Sequence, residues 1–444
     1  MNAKFHELTM LEGSRINQGR MNPNADSRWI RLSNPRTRLL DRYMNIQPWN
    51  YNRVKLRVPS GHADYINASP IVLDPVERAT PESREEKSSS AVGQESYRYI
   101  AMQGPKPQST HHVWRMVVEQ LESSGVIVML TETHEAGQEK CWPYFPSSTN
   151  DPPLEINEHD EFGDGFRATV RCEAMEETEA GDAIELRKLV IRVHRNTEPT
   201  ARKGFEIEES SVENGDTEER RGGATTPERK PKHVAELMIA SPTAEIREGV
   251  ARVTGISGVD AASSSGTGDA TESSSTTKES PNAPAWEEED RVVWHFLYKK
   301  WPDFGVPLLD DLESFFTLMR LSQEKNAGSQ SPRIVHCSAG VGRSGTFIAL
   351  EHLMRALNAG AMEGGDSATS SATRRDRDED DEDDDLIYST VSRLREQRGT
   401  MVQAQTQYRF LYHVMRKLWL DKYGEDDVGE PAAKRLEVDP FVED

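Results

Sequence analysis

One junction constrains the fold of this chain more than any other stretch: "RIVHCSAGVGRSGTFIALEHLMRAL", residues 333–357. A short run, apolar and β-branched at its centre, leads directly into a glycine-rich turn and then into a helix-length segment. In that segment Phe347, Leu350, Leu353, Met354 and Leu357 recur at spacings of three and four, one stripe of a helix. Other segments repeat both patterns. "GVIVML" (125–130), "IELRKLVIRV" (184–193) and "RVVWHFLY" (291–298) read as strands. "HHVWRMVVEQLES" (111–123), "LLDDLESFFTLMRLSQEK" (308–325) and "TQYRFLYHVMRKLWLDKY" (406–423) read as amphipathic helices. Strands interspersed with helices predict an α/β (α+β) domain.

Three polar stretches interrupt this pattern. Residues 77–96 contain "ATPESREEKSSS", residues 197–286 contain "SSSGTGDATESSSTTKESPNAP", and residues 358–385 end in "DRDEDDEDDD". None has apolar periodicity, and a run of like charge does not pack, so all three are expected as long disordered, solvated insertions. The expected layout is an N-terminal segment (1–27), one domain (28–424) looping out these insertions, and an acidic tail (425–444). A net charge of −21 argues against a nucleic-acid partner, which would demand basic patches. The three cysteines, Cys141, Cys172 and Cys337, have no short metal-binding or redox spacing and cannot all pair within one chain, which fits a reducing compartment. The N-terminus lacks a basic start followed by an apolar run, and the longest apolar runs are too short to cross a bilayer. The expectation is a cytoplasmic protein without membrane insertion. Near the C-terminus "PAAKRLEVD" (431–439) resembles a nuclear-import signal, with Glu437 where that signal carries a basic residue.

The chemistry concentrates at the junction. After His336 come Cys337, five further residues, Arg343, and a helix opening at Ser344–Gly345–Thr346. Gly340, Gly342 and Gly345 permit a tight concave loop, Ser338 to Gly342, whose backbone N–H groups (Ala339 and Val341 among them) converge on one point. The helix N-terminus adds partial positive charge there, and Arg343 offers a planar fork matched to two phosphate oxygens. Such surroundings favour a cysteine thiolate, a nucleophile for phosphorus. The Ser344 hydroxyl is placed to help that thiolate leave again. A buried structural cysteine is the ordinary reading of a lone Cys near glycine, but strand, Cys-x5-Arg and helix in this order reverse it. A nucleotide P-loop would require a lysine that this loop lacks.

Residues 336–346, "HCSAGVGRSGT", resemble the signature of the classical protein tyrosine phosphatases throughout, and further landmarks run from about residue 28 to about residue 423. The resemblance implies a non-receptor member with a twisted mixed sheet flanked by helices. It also implies hydrolysis of phosphotyrosine through a cysteinyl-phosphate, with no metal and no cofactor. "WPDFGVP" (301–307) resembles the family's mobile acid loop, which makes Asp303 the general acid and then the base, with Trp301 and Phe304 supporting it. "DRYMNIQPWNYNRVKL" and "DYINAS" resemble its phosphotyrosine-recognition loop. Tyr43 would pack on the substrate ring, and Asn45 stands where many relatives carry an aspartate that grips the peptide backbone. "TMVQAQTQYRFLYHVM" resembles the glutamine loop, with Gln403 and Gln407 positioning the hydrolytic water. "EAGQEKCWPYFP" resembles a supporting loop that brings Glu135 to Arg343 and Lys140 to the acid loop. The implied partners are tyrosine-phosphorylated proteins, kinases being one such class. Two alternatives stand beside this reading: a dual-specificity phosphatase, which generally lacks a Tyr43-type loop, and an inactive phosphotyrosine-binding module, which typically loses the cysteine, the arginine or the acid.

Overall fold

The structure, a computed structural model, describes residues 1–22, 27–76, 96–196, 286–302, 305–327, 329–362 and 385–424. These belong to one unit, Met1–Glu198 together with Pro284–Asp444. In chain order its helices are α1 (Asn2–Met21), α2 (Pro35–Leu40), α3 (Thr110–Gln120), α4 (Leu312–Lys325), α5 (Gly342–Asn358), α6 (Leu386–Gln397) and α7 (Gln405–Tyr423). Its strands are β1 (Ala68–Leu73), β2 (Tyr97–Met102), β3 (Gly125–Met129), β4 (His134–Glu135), β5 (Gln138–Glu139), β6 (Leu154–Ile156), β7 (Arg167–Glu176), β8 (Ile184–Asn196), β9 (Trp286–Tyr298) and β10 (Arg333–His336).

Among the described residues the main sheet runs in the order β1-β2-β10-β3-β9-β8-β7-β6. Its centre is parallel, with β10 between β2 and β3 and β9 beyond β3. Its two flanks are antiparallel, β1 on β2 at one side and β9 through β6 at the other. The central strands read as unbroken apolar runs because helices cover both faces. Alternate residues of β3 therefore serve different cores. Val126 and Val128 pack in the cluster that holds Val335, Phe347 and Leu350. Ile127 and Met129 pack in the cluster that holds Ile334, Val113, Trp114 and Val117 of α3. The strand β10 thus ends at the centre of the sheet, and whatever follows it emerges between the helix layers.

A buried ionic cluster ties β10 to α5. Arg333 Nη2 donates to Glu351 Oε1 at 2.5 Å, and the Tyr99 hydroxyl donates to Glu351 Oε2 at 3.1 Å. Burial alone would raise the Glu351 carboxyl, but the charges of Arg333 and Arg355 hold it below the usual carboxylate value. Breaking such a pair costs about 3–5 kcal/mol because it strands a buried charge.

Every strand and helix expected from the sequence is present, with ends shifted by a few residues. Helix α5 starts at Gly342 rather than 344, since the Gly345 N–H already bonds the Val341 carbonyl at 2.9 Å. Helices α1, α2 and α6 and strands β1, β2, β4, β5, β6 and β7 were not expected. Helix α1 shows little periodicity because it buries only Leu8 and Glu12. The insertions expected at 77–96, 197–286 and 358–385, and the tail with its import-like signal, fall almost wholly outside the described residues. Their edges are corrected where they are described. Asn358 closes α5, and Asp385 is not part of a solvated acidic run. Its carboxylate caps α6, accepting from the N–H groups of Ile387 and Tyr388, and pairs with Lys4 at 3.1 Å.

Candidate active site

The loop after β10 curls back over its own cysteine. The Gly340 N–H points at Cys337 Sγ at 3.2 Å, and Gly340 has φ +71. A Cβ at Gly340 would lie 2.0 Å from the Met102 carbonyl oxygen, so both conformation and space demand glycine. Cys337 is 4% exposed and sits at the floor of a cavity of about 410 Å³. Tyr43, Asn45, Glu135, Lys140, Ser338, Ala339, Gly342, Arg343, Gln403 and Gln407 also line it. Residues from four separate stretches of sequence thus converge on one thiol.

Arg343 lies in the first turn of α5, where its guanidinium is held by several acceptors. Nη2 donates to Glu135 Oε2 at 2.8 Å, Nη1 to Glu135 Oε1 at 2.5 Å, and Nη1 also to the Leu130 carbonyl at 3.0 Å. Burial would raise the Glu135 carboxyl, but the hydrogen bonds and charge of Arg343, with the Thr131 hydroxyl, bring it below its usual value. Glu135 is presented by the β4–β5 hairpin, whose two turn residues, Ala136 and Gly137, have φ 48 and 73, the two-residue turn that suits a tight hairpin. Arg343 Nη2 also donates to the Pro302 carbonyl at 3.3 Å, which links the signature arginine to the 301–307 loop. In that loop Trp301 is buried edge-on against Phe315 and donates from Nε1 to the Gly305 carbonyl at 2.9 Å. Asp303 and Phe304 lie outside the described residues.

The remaining expected residues take distinct places. The Tyr43 hydroxyl and Ser338 Oγ are 2.8 Å apart, so the recognition loop touches the rim of the anion loop. Asn45 is exposed at the cavity mouth, its carbonyl accepting from Arg31 at 3.2 Å. A Cβ at Gly342 would sit 3.1 Å from the Gln407 amide and 3.4 Å from Gln403 Oε1, so both glutamine side chains cover the start of α5. Gln407 Oε1 also accepts the Ala404 N–H at 3.1 Å and fixes the entry to α7. Ser344 is fully buried with no hydrogen-bond partner for its Oγ, and Val341 is buried behind the loop. His336 is buried beneath the sheet end, its Nε2 2.7 Å from the Tyr144 hydroxyl, which also lies 3.1 Å from His295 Nε2. Burial pushes the His336 imidazole down to about 3, so it is neutral at physiological pH.

Three contributors gave no readable signal in the sequence. Arg398 is fully buried beneath the anion loop. Its Nε donates to the Gly340 carbonyl at 2.8 Å, and its Nη2 donates to the Ala339 carbonyl at 3.2 Å and to Asn67 Oδ1 at 2.8 Å. By holding the Ala339 carbonyl outward it keeps the Gly340 N–H that follows it turned toward the Cys337 sulfur. Burial lowers the Arg398 guanidinium to about 10, which still leaves it charged. Arg42 staples the recognition loop in place by donating to the carbonyls of Gly104, Pro105 and Glu139, at 3.0, 2.6 and 3.1 Å. Tyr144 is the third, through its two histidines. Arginines and a tyrosine in unremarkable local sequence carry no motif, and only their distant partners reveal a role.

A cysteine facing a backbone N–H, with an arginine fork and two amide side chains lining the same cavity, can hold a tetrahedral oxyanion and attack its centre. Comparison with known proteins agrees. The family model described as "Protein-tyrosine phosphatase" matches residues 38–209 and 264–417. The chain is 27% identical to Tyrosine-protein phosphatase 1 of Saccharomyces cerevisiae over 94% of its own length and 93% of that protein. It is 26% identical to Tyrosine-protein phosphatase 2 of Schizosaccharomyces pombe over 93% of its length but only 38% of that longer protein. Among solved structures, the catalytic domain of human protein tyrosine phosphatase non-receptor type 18 superposes with a TM-score of 0.52 at 19% identity, covering 94% of this chain and 95% of that one. That same protein has also been solved in complex with HER2 phosphopeptides. From the family match across most of its length, with the mixed sheet and the cavity around Cys337, this chain belongs to the classical protein tyrosine phosphatase family.

Proposed function

We propose that this enzyme removes phosphate from tyrosine side chains of proteins in intracellular signalling, through a phosphorylated Cys337. The thiolate attacks phosphorus while the bond to the tyrosyl oxygen breaks, and Asp303 gives that oxygen its proton. Water, oriented by Gln403 and Gln407, then attacks the phosphorus. The P–S bond breaks, electrons return to sulfur, Ser344 offers the departing thiolate a hydrogen bond, and Asp303 takes up the water proton. Arg343 and the N–H groups of the 338–342 loop hold the equatorial oxygens throughout. The observation that carries this reading is the convergence of the Cys337 sulfur, the Glu135-braced Arg343 fork and the two glutamine amides on one cavity.

The recognition loop supports phosphotyrosine over phosphoserine. Tyr43 and Lys140 line the same cavity as the Cys337 sulfur, and an aromatic ring in that lining suits an aryl phosphate better than a short phosphoserine side chain. A catalytic thiolate survives in a reducing compartment, and the free state of Cys141, Cys172 and Cys337 suits the cytoplasm. The test is rapid acid quench of the enzyme with a labelled phosphotyrosine peptide, which should trap label on Cys337. Cys337→Ser should bind the peptide without turnover, and Asp303→Ala should retain phosphoproteins. Equal turnover of matched phosphotyrosine and phosphothreonine peptides would refute the tyrosine assignment. A Cys337→Ser variant retaining most of the rate would refute the mechanism.

A further inference from the structure

The glutamine loop is strained, and the strain is held from the far end of the chain. Thr400 and Val402, flanking Met401 just before Gln403, have φ 67 and φ 55. A β-branched residue in the left-handed region is strained and persists only where the surroundings over-determine it. At Val402 those surroundings are local. Its N–H bonds the Val341 carbonyl at 3.1 Å, and the buried Arg395 donates to the carbonyls of Met401 and Val402, both at 3.0 Å. At Thr400 they come from α1. Glu12 accepts the Thr400 N–H on Oε2 at 2.9 Å and the Thr400 hydroxyl on Oε1 at 2.7 Å.

Glu12 is 8% exposed, an unusual place for a carboxylate on an otherwise polar helix. Arg31 and Arg395 stand 3.7 Å from its two oxygens and offset its charge. The helix is anchored around it at several points. Leu8, one turn earlier, is buried in the core, and Phe5 packs on Tyr408 with ring centroids 5.5 Å apart. Arg15 pairs with Glu396 at 3.1 Å, and Glu7 accepts from the Tyr388 hydroxyl at 2.6 Å. The carboxylate is therefore a rigid acceptor aimed at one residue of the glutamine loop.

We infer that Glu12 is a positioning residue for the second chemical step: it locks Thr400 in its left-handed conformation and so fixes Gln403 over the cysteinyl-phosphate. The inference rests on the reading that Gln403 orients the hydrolytic water. Without Glu12, Thr400 relaxes toward negative φ and the loop carries Gln403 away from the phosphorus. Phosphorylation of Cys337 does not use Gln403, so attack on the substrate is spared and hydrolysis of the intermediate slows. Displacing an orienting group by about an ångström costs on the order of tenfold to a hundredfold in rate.

The experiment is pre-steady-state hydrolysis of p-nitrophenyl phosphate by the full-length chain, with and without glycerol as a competing acceptor. Glu12→Ala should convert smooth turnover into a burst of nitrophenol followed by a steady rate about tenfold or more below wild type. The burst rate constant should stay within about threefold of the wild-type phosphorylation step, and a larger share of phosphate should pass to glycerol. Glu12→Gln, whose amide can accept the Thr400 N–H and donate to its hydroxyl, should restore near wild-type behaviour. Thr400→Gly, which adopts positive φ without strain, should make Glu12→Ala nearly silent. A Glu12→Ala enzyme with no burst and unchanged partition to glycerol overturns the inference, as does a loss of rate confined to phosphorylation. If Glu12→Ala does not fold, Thr400→Ala serves in its place: it loses the hydroxyl that Glu12 holds and should show the same burst and larger share of phosphate passing to glycerol, and an unchanged partition ratio in that variant overturns the inference equally. Absence of any acid-trapped phosphocysteine in the wild type would instead refute the underlying reaction, so the two failures are distinguishable.

Discussion

Arg398→Met is the sharpest test of how the anion loop is held. The side chain is fully buried and makes four hydrogen bonds: to the carbonyls of Gly340 (2.8 Å) and Ala339 (3.2 Å), to Asn67 Oδ1 (2.8 Å) and to Ser69 Oγ (3.3 Å). Methionine fills most of the volume but donates nothing. Two loop carbonyls and one amide oxygen are then left buried without these donors, each costing about 1–3 kcal/mol. Loss of the compensating cation beside the buried Asp41 network adds to this, so a stability loss of about 3 kcal/mol or more is expected. The catalytic effect is separable. A loop peptide freed from Arg398 can rotate and present a carbonyl where an N–H stood, and losing one preorganised donor costs about 10²–10³ in rate. The assay pairs kcat/KM on an aryl phosphate with competitive inhibition by inorganic phosphate, both in conditions where urea titration shows the variant folded. A folded Arg398→Met enzyme with kcat/KM within threefold of wild type would refute the argument that this arginine orients the loop.

Two further predictions follow from the same geometry. Gly340→Ala places a Cβ 2.0 Å from the Met102 carbonyl oxygen at φ +71, so it should abolish phosphatase activity while leaving far-ultraviolet circular dichroism nearly unchanged; a variant with more than a tenth of the activity would show that the loop adapts. The buried imidazoles His336 and His112 are pushed down by burial, to about 3 and about 4. The unfolded chain therefore takes up protons first as pH falls below 6.5. Their contribution is fully present above that value and is lost on acidification toward their folded values, at about 2 kcal/mol per histidine between pH 7 and pH 5. Urea titrations across that range should show the loss, and His112→Leu, packing on Phe162, should reduce the slope by about one proton; an unchanged slope would refute the assignment.

What the sequence determined by itself was local and contiguous. The proposed nucleophile Cys337, the arginine and the helix start lie within residues 336–346, where chain connectivity alone brings them within reach of one another. Glycine at 340 was readable as a turn residue because its requirement is steric and belongs to one dihedral. The acid, recognition and glutamine loops were legible only as resemblances, since nothing in their spacing says that they meet. Tertiary structure decided that meeting, and it decided the supports. Arg398 lies 58 residues from the carbonyl of Gly340, and Glu12 lies 388 residues from Thr400. A lone arginine after a helix, or a glutamate on a polar helix such as α1, is locally indistinguishable from a solvated residue. Its meaning comes from burial against partners that the chain supplies from elsewhere, because a buried charge must be matched in three dimensions and sequence order imposes no such match.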